Sequence, residues 1–319
     1  MIEDSLLAIF GFFLGKNYVL GKNYEIDVVE RYVTARTVAE ERYQVVKNNS
    51  SPKVNYYAEI PLHEKYSVCI IATSAEVRYS VLEQILKTCT IEYIVFEKVL
   101  FQTSENCILA SKLLLKNGVR AWVNCPRRQY PFYVFMRSIF LGDKNINIEV
   151  KGSDWGLACN SIHFLDLHSF LTGDDAYKFD FSNIDRNVIP AKRQNFIELN
   201  GILTAQSSRG SVRLECNQDE TPSNTLDVRL SSSSHDIEFS ESTGIIKSAS
   251  FDILEQFAEF SAPLQSVLTA SIVSQLVDSG NCDLVEYQSS SNIHIGYLDG
   301  VVNHLVLNFD DKLKHAPIT

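Results

Sequence analysis

The sequence predicts a two-domain α/β protein. Residues 1–124 read as a parallel-sheet domain of the doubly wound type, and residues 125–319 as an α+β domain built on a large, mostly antiparallel sheet. Three observations carry this reading. The chain has 319 residues, 45% of them hydrophobic, and a single core stops growing at roughly 250–300 residues. Before residue 125 short apolar runs alternate with amphipathic stretches, the pattern of βαβ units. From Phe196 onward apolar and polar residues alternate one by one between Gly, Ser and Asn turns, the mark of an antiparallel sheet with one solvated face.

The elements follow in order. Strands are expected at "LLAIFG" (6–11), "EIDVVE" (25–30), "SVCIIAT" (67–73), "YIVFEK" (93–98) and "RAWVNC" (120–125). A helix from Ala75 sets Val77, Val81, Ile85 and Leu86 on one face. A second runs from Ser104 as N-cap to Gly118 just past its end. After Pro126, "PFYVFMRSIFLG" and "SIHFLDLHSFLTG" read as helices. "FIELNGILTAQ", "GSVRLECNQ", "TLDVRLSSS" and "DIEFSESTGIIKS" supply the second sheet, and "SFDILEQFAEF" and "SVLTASIVSQLVDSG" return to helix.

Composition narrows the setting. A formal net charge of -10 without any Lys/Arg-rich run argues against a nucleic-acid footprint, which needs a basic face. The seven cysteines are scattered, odd in number and without a C-x-x-C pair, so no disulfide framework and no metal site is expected. The acidic start "MIEDSLLAIFGFFLG" lacks the basic flank of a secretory leader, and no apolar run approaches the ~18 residues that span a bilayer. A cytoplasmic protein with no membrane partner is the expectation.

A Rossmann-type domain needs glycines at its first strand-to-helix turn, so that backbone can approach a pyrophosphate. Here that turn reads "IFGFFLGK": Gly11 and Gly15 are present, but G-x-G-x-x-G is not, and the turn serves equally well as a purely structural one. Glu30 lies close to the ~20-residue spacing at which an acid holds a ribose diol, and equally where an ordinary solvated strand end would fall. "IVFEKV" ends a buried parallel strand in adjacent charges, Glu97 and Lys98. Unpaired buried charge is expensive, so this pair is either mutually neutralised scaffolding or turned into a polar cleft beyond the strand ends, where α/β sheets bind ligands. Position favours the cleft.

From "CIIATSAEVRY" through "IEYIVFEKVLFQT" the chain resembles the Gfo/Idh/MocA oxidoreductases, named for glucose-fructose oxidoreductase and inositol dehydrogenase. Ala72 and Thr73 match that family's strand-ending Ala-Thr. Glu97 and Lys98 match its Glu-Lys-Pro, with Val99 in place of proline. "DWGLACNSIHFLDLHSFLTG" is similar to its second-domain helix, in which an acid, a His and a second Asp are spaced along one face. His163 and Asp166 match the latter two, whereas Cys159, with Asn160 beside it, stands where the first acid belongs. The likeness runs from about Leu6 to the last helix and is poorest at the glycine turn.

The resemblance implies NAD or NADP held by Gly11, Gly15, Glu30, Ala72, Thr73, Glu97 and Lys98, and a sugar or nucleotide sugar held against the second domain by Asn160 and Asp166. Lys98 and His163 are then the catalytic pair. Oxidising a secondary alcohol needs a base for the hydroxyl proton, and His is the side chain whose ordinary pKa lies near neutrality. A fixed ammonium group stabilises the developing alkoxide. Without that context, a histidine on an apolar helix is a satisfied core residue. Arg127 and Arg128 in "NCPRRQYP" can clamp a phosphate or carboxylate, or stand as solvated hinge charges. Surface-polysaccharide synthesis is the expected setting and a homodimer or homotetramer the expected assembly. The alternative is a catalytically impaired relative acting as a nucleotide- or sugar-binding scaffold or sensor, suggested by the glycine turn and Cys159.

Overall fold

The computed structural model describes residues 4–9, 24–49, 51–218, 226–249 and 251–319. In chain order its strands are β1 (Asp4–Ile9), β2 (Tyr24–Val29), β3 (Lys53–Tyr57), β4 (Lys65–Ile71), β5 (Thr90–Phe96), β6 (Arg120–Val123), β7 (Ile146–Ser153), β8 (Lys178–Ile184), β9 (Ile189–Pro190), β10 (Ile197–Glu198), β11 (Gly201–Gln206), β12 (Gly210–Asn217), β13 (Leu226–Ser231), β14 (Asp236–Ser240), β15 (Ile246–Ser248) and β16 (Val285–Glu286). Its helices are α1 (Val33–Val46), α2 (Ala75–Thr88), α3 (Ser104–Asn117), α4 (Pro131–Ile139), α5 (Leu157–Thr172), α6 (Phe251–Gln256), α7 (Gln265–Ser279) and α8 (Tyr287–Asn308). Two compact units result: Met1–Phe101 with Ile108–Pro126 and Pro263–Tyr287, and Gln102–Cys107 with Arg127–Ala262 and Gln288–Thr319.

In the first unit β6-β5-β4-β1-β2-β3 pair in parallel, and β16 joins β6 antiparallel at one edge. Counted from the other edge this is the order 3-2-1-4-5-6, which reverses between β1 and β4, and ligands of such sheets bind outside the strand ends at that reversal. Both central strands are apolar because helices cover parallel sheets on both faces. One face packs Ile26, Val68, Ile70, Val95 and Trp122 against Ile272, Val273 and Leu276 of α7, which is why residues 263–287 return to this unit. Each such side chain contributes about 1.5–3 kcal/mol by leaving water.

Two local expectations shift. The buried face of α2 is Ala75, Arg78, Leu82 and Ile85, while Val77 is exposed. The helix is turned by Arg78, whose guanidinium finds backbone acceptors inside; hydrophobic periodicity cannot register an arginine on a core stripe. At α3 the first-turn amide of Asn106 bonds Thr103 Oγ1, so Thr103 rather than Ser104 caps the helix.

The second unit holds a sheet of order β15-β14-β13-β7-β12-β11-β8. The alternating runs form its strands as expected, but β7, from "INIEVKGS", enters at the centre, parallel to β12 and antiparallel to β13. Ile146, Ile148, Val150, Val212, Leu214, Val228 and Leu230 face the core. The opposite face carries charges of both signs: Arg229 pairs with Asp236 at 2.7 Å and Lys247 with Asp227 at 2.6 Å across strands, and Arg213 with Glu215 at 2.7 Å along β12. Exposed pairs of this kind are worth about 0–1 kcal/mol each and keep the face polar.

Helix α8 lies against β8 through Gly296 and Gly300. A Cβ on Gly300 would run into the ring of Phe181, and one on Gly296 would come within 3.0 Å of Phe179. Gly300→Val should therefore lower stability by about 1–3 kcal/mol through overpacking, read as a reduced urea midpoint with an unchanged slope.

Candidate functional site

The described strand ends of the first unit carry the polar residues that the sequence singled out. Glu30 follows β2, Ala72 and Thr73 follow β4, and Glu97 and Lys98 follow β5. The ladder continues past the strands, since Glu30 N–H donates to Tyr57 O, Glu97 N–H to Ile71 O and Asn124 N–H to Phe96 O. Gly11 and Gly15 lie outside the described residues.

Glu30 is 4% exposed. Its Oε1 accepts the Tyr32 N–H at 2.7 Å, while Oε2 has no partner among the described residues. Burial raises its pKa, opposed by that amide and by Arg36. Thr73 is buried, and its Oγ1 has no hydrogen-bond partner. A buried polar group without a partner is costly. An orphaned hydroxyl beside the strand-order reversal, with an open carboxylate oxygen two strands away, is what a site for an external polar ligand needs. These residues fit a dinucleotide.

The loop after β5 is fixed from two sides. Arg78 donates through Nη1 to Val99 O and, at 2.8 Å, to Leu100 O, and through Nη2 to Thr73 O. One guanidinium thus ties the β4 loop to the β5 loop by charge-assisted bonds. On the other side Asn124 Nδ2 donates to Glu97 Oε1, and Gln265 Nε2 donates to Asn124 Oδ1 at 3.4 Å. Burial pushes the Glu97 carboxyl above its ordinary range, opposed by the Asn124 bond and the charges of Arg78 and Lys98. Lys98 is half-buried, and the Lys98–Val99 peptide is cis. Asn124, Gln265 and Arg78 were not singled out in the sequence; the first had one signal, a polar residue directly after an apolar strand.

In the second unit α5 is buried along its length except at Cys159, Asn160 and His163. An apolar helix sunk in a core does not leave polar residues at i, i+1 and i+4 half-exposed by accident of pattern, and these are residues the sequence selected. The helix begins at Gly156, whose φ of 77° is left-handed; a Cβ there would meet Glu198 Oε1 at 3.0 Å and Asn160 Nδ2 at 3.1 Å. Glu198 Oε2 accepts the amides of Ala158 at 2.8 Å and Cys159 at 3.3 Å, and Asn160 Nδ2 donates to Trp155 O at 2.6 Å.

The expected substrate contacts at Arg127, Arg128 and Asp166 take a different form. Arg127 donates Nε and Nη2 to the two oxygens of Glu241, at 2.8 and 2.5 Å, and lies 4.4 Å over the Phe164 ring. Arg128 Nε donates to Asp166 at 2.8 Å, and Asp166 is 1% exposed. Burial raises the Asp166 pKa against the pull of Arg128. These groups are held by carboxylates of their own unit. Desolvated guanidinium groups bind the nearest internal anion, so the pairs anchor the segment before α4 to α5 and β14. The partner Glu241 is remote in sequence and gave no signal. Among the described residues no cluster of His, Cys, Asp and Glu could hold a metal ion, and no helix is long and apolar enough to cross a membrane.

No protein-family model and no curated protein sequence matches the chain. Solved structures do. The WlbA dehydrogenase from Bordetella pertussis, in complex with NADH and UDP-GlcNAcA, matches with a TM-score of 0.65 at 10% identity, covering 99% of each chain. The UDP-N-acetylglucosamine 3-dehydrogenase GnnA from Acidithiobacillus ferrooxidans matches at 0.61 and 12%, covering 94% of this chain and 97% of that one. The fold is that of the Gfo/Idh/MocA oxidoreductases. A super-repressor mutant of Gal80p from Saccharomyces cerevisiae has it too, at 0.62 and 9%, covering 95% of this chain and 96% of that one.

Behind the half-exposed patch, His168 is fully buried between Tyr177, 2.8 Å from Nδ1, and Ile146 O, 2.9 Å from Nε2. The neutral ring satisfies both, accepting from the Tyr177 hydroxyl and donating to the carbonyl. Burial lowers its pKa from 6.5 to about 4. A depressed histidine binds its proton more readily when unfolded, so the stability is present above pH ~6.5 and lost as pH falls toward ~4, up to about 3 kcal/mol. Urea unfolding at pH 7 and pH 4.5 should show this loss, and His168→Gln should abolish most of the difference.

Proposed function

We propose that this chain is an NAD(P)-dependent oxidoreductase that transfers a hydride between a nicotinamide cofactor and a sugar or nucleotide sugar. The observation that carries the reading is the exposure of Cys159, Asn160 and His163 on an otherwise buried α5, with Thr73 Oγ1 and Glu30 Oε2 left open at the strand ends of the first unit. The neighbours crystallised with NADH and UDP-GlcNAcA support the cofactor and substrate class.

In this reading Glu30 accepts from the ribose hydroxyls, and the Ala72-Thr73 and Glu97-Lys98 turns line the dinucleotide. The nicotinamide supplies the hydride chemistry. His163 is the proposed base for the substrate hydroxyl proton, and Lys98 the proposed cation that offsets developing negative charge. Asn160 is a neutral contact to substrate hydroxyls. Arg127, Arg128 and Asp166 are proposed on the substrate side, where the pairs Arg127–Glu241 and Arg128–Asp166 hold the start of α4 against α5. NAD and NADP both remain open choices, because Arg31 follows Glu30 directly. The broad charged face of the second sheet supports self-association as a homodimer or homotetramer, and a cytoplasmic step in surface-polysaccharide synthesis is the setting proposed for it.

A second reading is favoured by Cys159 in the acid's place and by the repressor among the structural neighbours: a nucleotide- or sugar-sensing scaffold without turnover. Titration with NADH and NADPH under fluorescence separates them. Saturable binding of one cofactor below about 1 mM is expected; binding of neither would turn the assignment to a scaffold. With nucleotide sugars as substrates, Lys98→Ala and His163→Ala should each lower kcat by about 10²–10⁴-fold while leaving the unfolding midpoint in place. Wild-type rates in both variants would remove the mechanism.

A further inference from the structure

The first turn of α5 starts from a residue with no side chain. Gly156 at the N-cap offers nothing to the open amides behind it, and helix starts leave such donors unsatisfied. The acceptor comes instead from another strand. Glu198 on β10 places Oε2 on the N–H groups of both Ala158 and Cys159. Its strand is itself pinned: Ile197 N–H donates to Pro317 O, β10 pairs with β9, and Gln102 is tied to the same terminal segment through Ala316 N–H and Ile318 O. The turn so held contains Cys159 and Asn160, and His163 follows one turn on.

We propose that Glu198 is a positioning residue for the site: its carboxylate fixes the orientation of the α5 turn that presents Asn160 and His163, and it places a negative charge at the amides of that turn. The proposal rests on the oxidoreductase reading for its effect on turnover, but not for its effect on the turn. The end of a helix that exposes amide N–H groups favours anions and lowers the pKa of a thiol placed there. A carboxylate bonded to the same amides opposes that effect on Cys159. Other titratable groups near this turn are His163, Cys216, whose thiol faces the backbone amides of Asp154 to Leu157, and Tyr297, whose hydroxyl donates to Ala158 O at 2.6 Å.

Glu198→Gln keeps an oxygen acceptor for the two amides and removes only the charge. Two readouts decide the matter in the full-length protein. The first is the rate of Cys159 alkylation by iodoacetamide at pH 7.5, followed by mass spectrometry of its peptide. It should rise about threefold or more in Glu198→Gln, because the thiolate fraction grows. The second is turnover in Glu198→Ala, which removes the acceptor as well as the charge: kcat should fall about tenfold or more, with NADH affinity at its wild-type value. Glu198→Asp should retain the slow alkylation. An unchanged alkylation rate in Glu198→Gln overturns the charge role whether or not the protein turns over, and an unchanged kcat in Glu198→Ala overturns the positioning role. If the wild-type protein shows no turnover with any nucleotide sugar, the oxidoreductase reading has failed, and the alkylation rate alone decides whether Glu198 sets the charge of the turn.

Discussion

A charge removed from water must find a partner inside the protein, and that demand organises both units. The penalty for an unpaired buried ion is several kcal/mol, more than most single packing contacts return. In the first unit it is met by backbone and amide groups: Arg78 spends its guanidinium on carbonyls of two loops, and Glu97 takes an amide from Asn124. In the second it is met by opposite charges, Arg127 with Glu241 and Arg128 with Asp166. The consequence for the site is a contrast. Groups committed to these networks hold backbone still, whereas Thr73 Oγ1 and Glu30 Oε2 keep capacity for a partner from outside.

That contrast also explains why the parallel sheet places its polar residues where it does. Between its helical layers the ends of the central strands carry apolar side chains, so the first position free of that constraint is the residue just past the strand. Glu30, Thr73, Glu97 and Asn124 all stand at or one past this limit. Their row reflects topology first, and whatever chemistry the chain performs has been built on it.

Legibility in the sequence follows the range of the interactions. Five of the six parallel strands and the polar residues ending them were readable, because both depend on runs of a few neighbouring residues; β3, an edge strand with Lys53 and Asn55 among its five residues, was not. The face of α2 was not, since Arg78 is buried by carbonyls more than 20 residues away in the chain. β7 escaped because its place at the centre of the second sheet is set by partners, β12 and β13, that follow it by more than 60 residues. In the same way Lys98 and His163 could be picked from local motifs, while Glu241, Gln265 and Glu198, which decide what the neighbouring charges can do, carried no local signal.

Cys159 brings these threads together. Cys159 carries no carboxylate of its own. Here a carboxylate reaches the amides of its turn from β10, about 40 residues later in sequence, and a left-handed Gly156 makes room for it. A carboxylate that reaches the helix start from a facing strand is held by the docking of a two-stranded hairpin and the segment around Pro317. A site arranged this way keeps its electrostatics only as long as that hairpin stays docked. Structures described as dehydrogenases and as a super-repressor mutant share the fold, so the architecture alone does not set the activity.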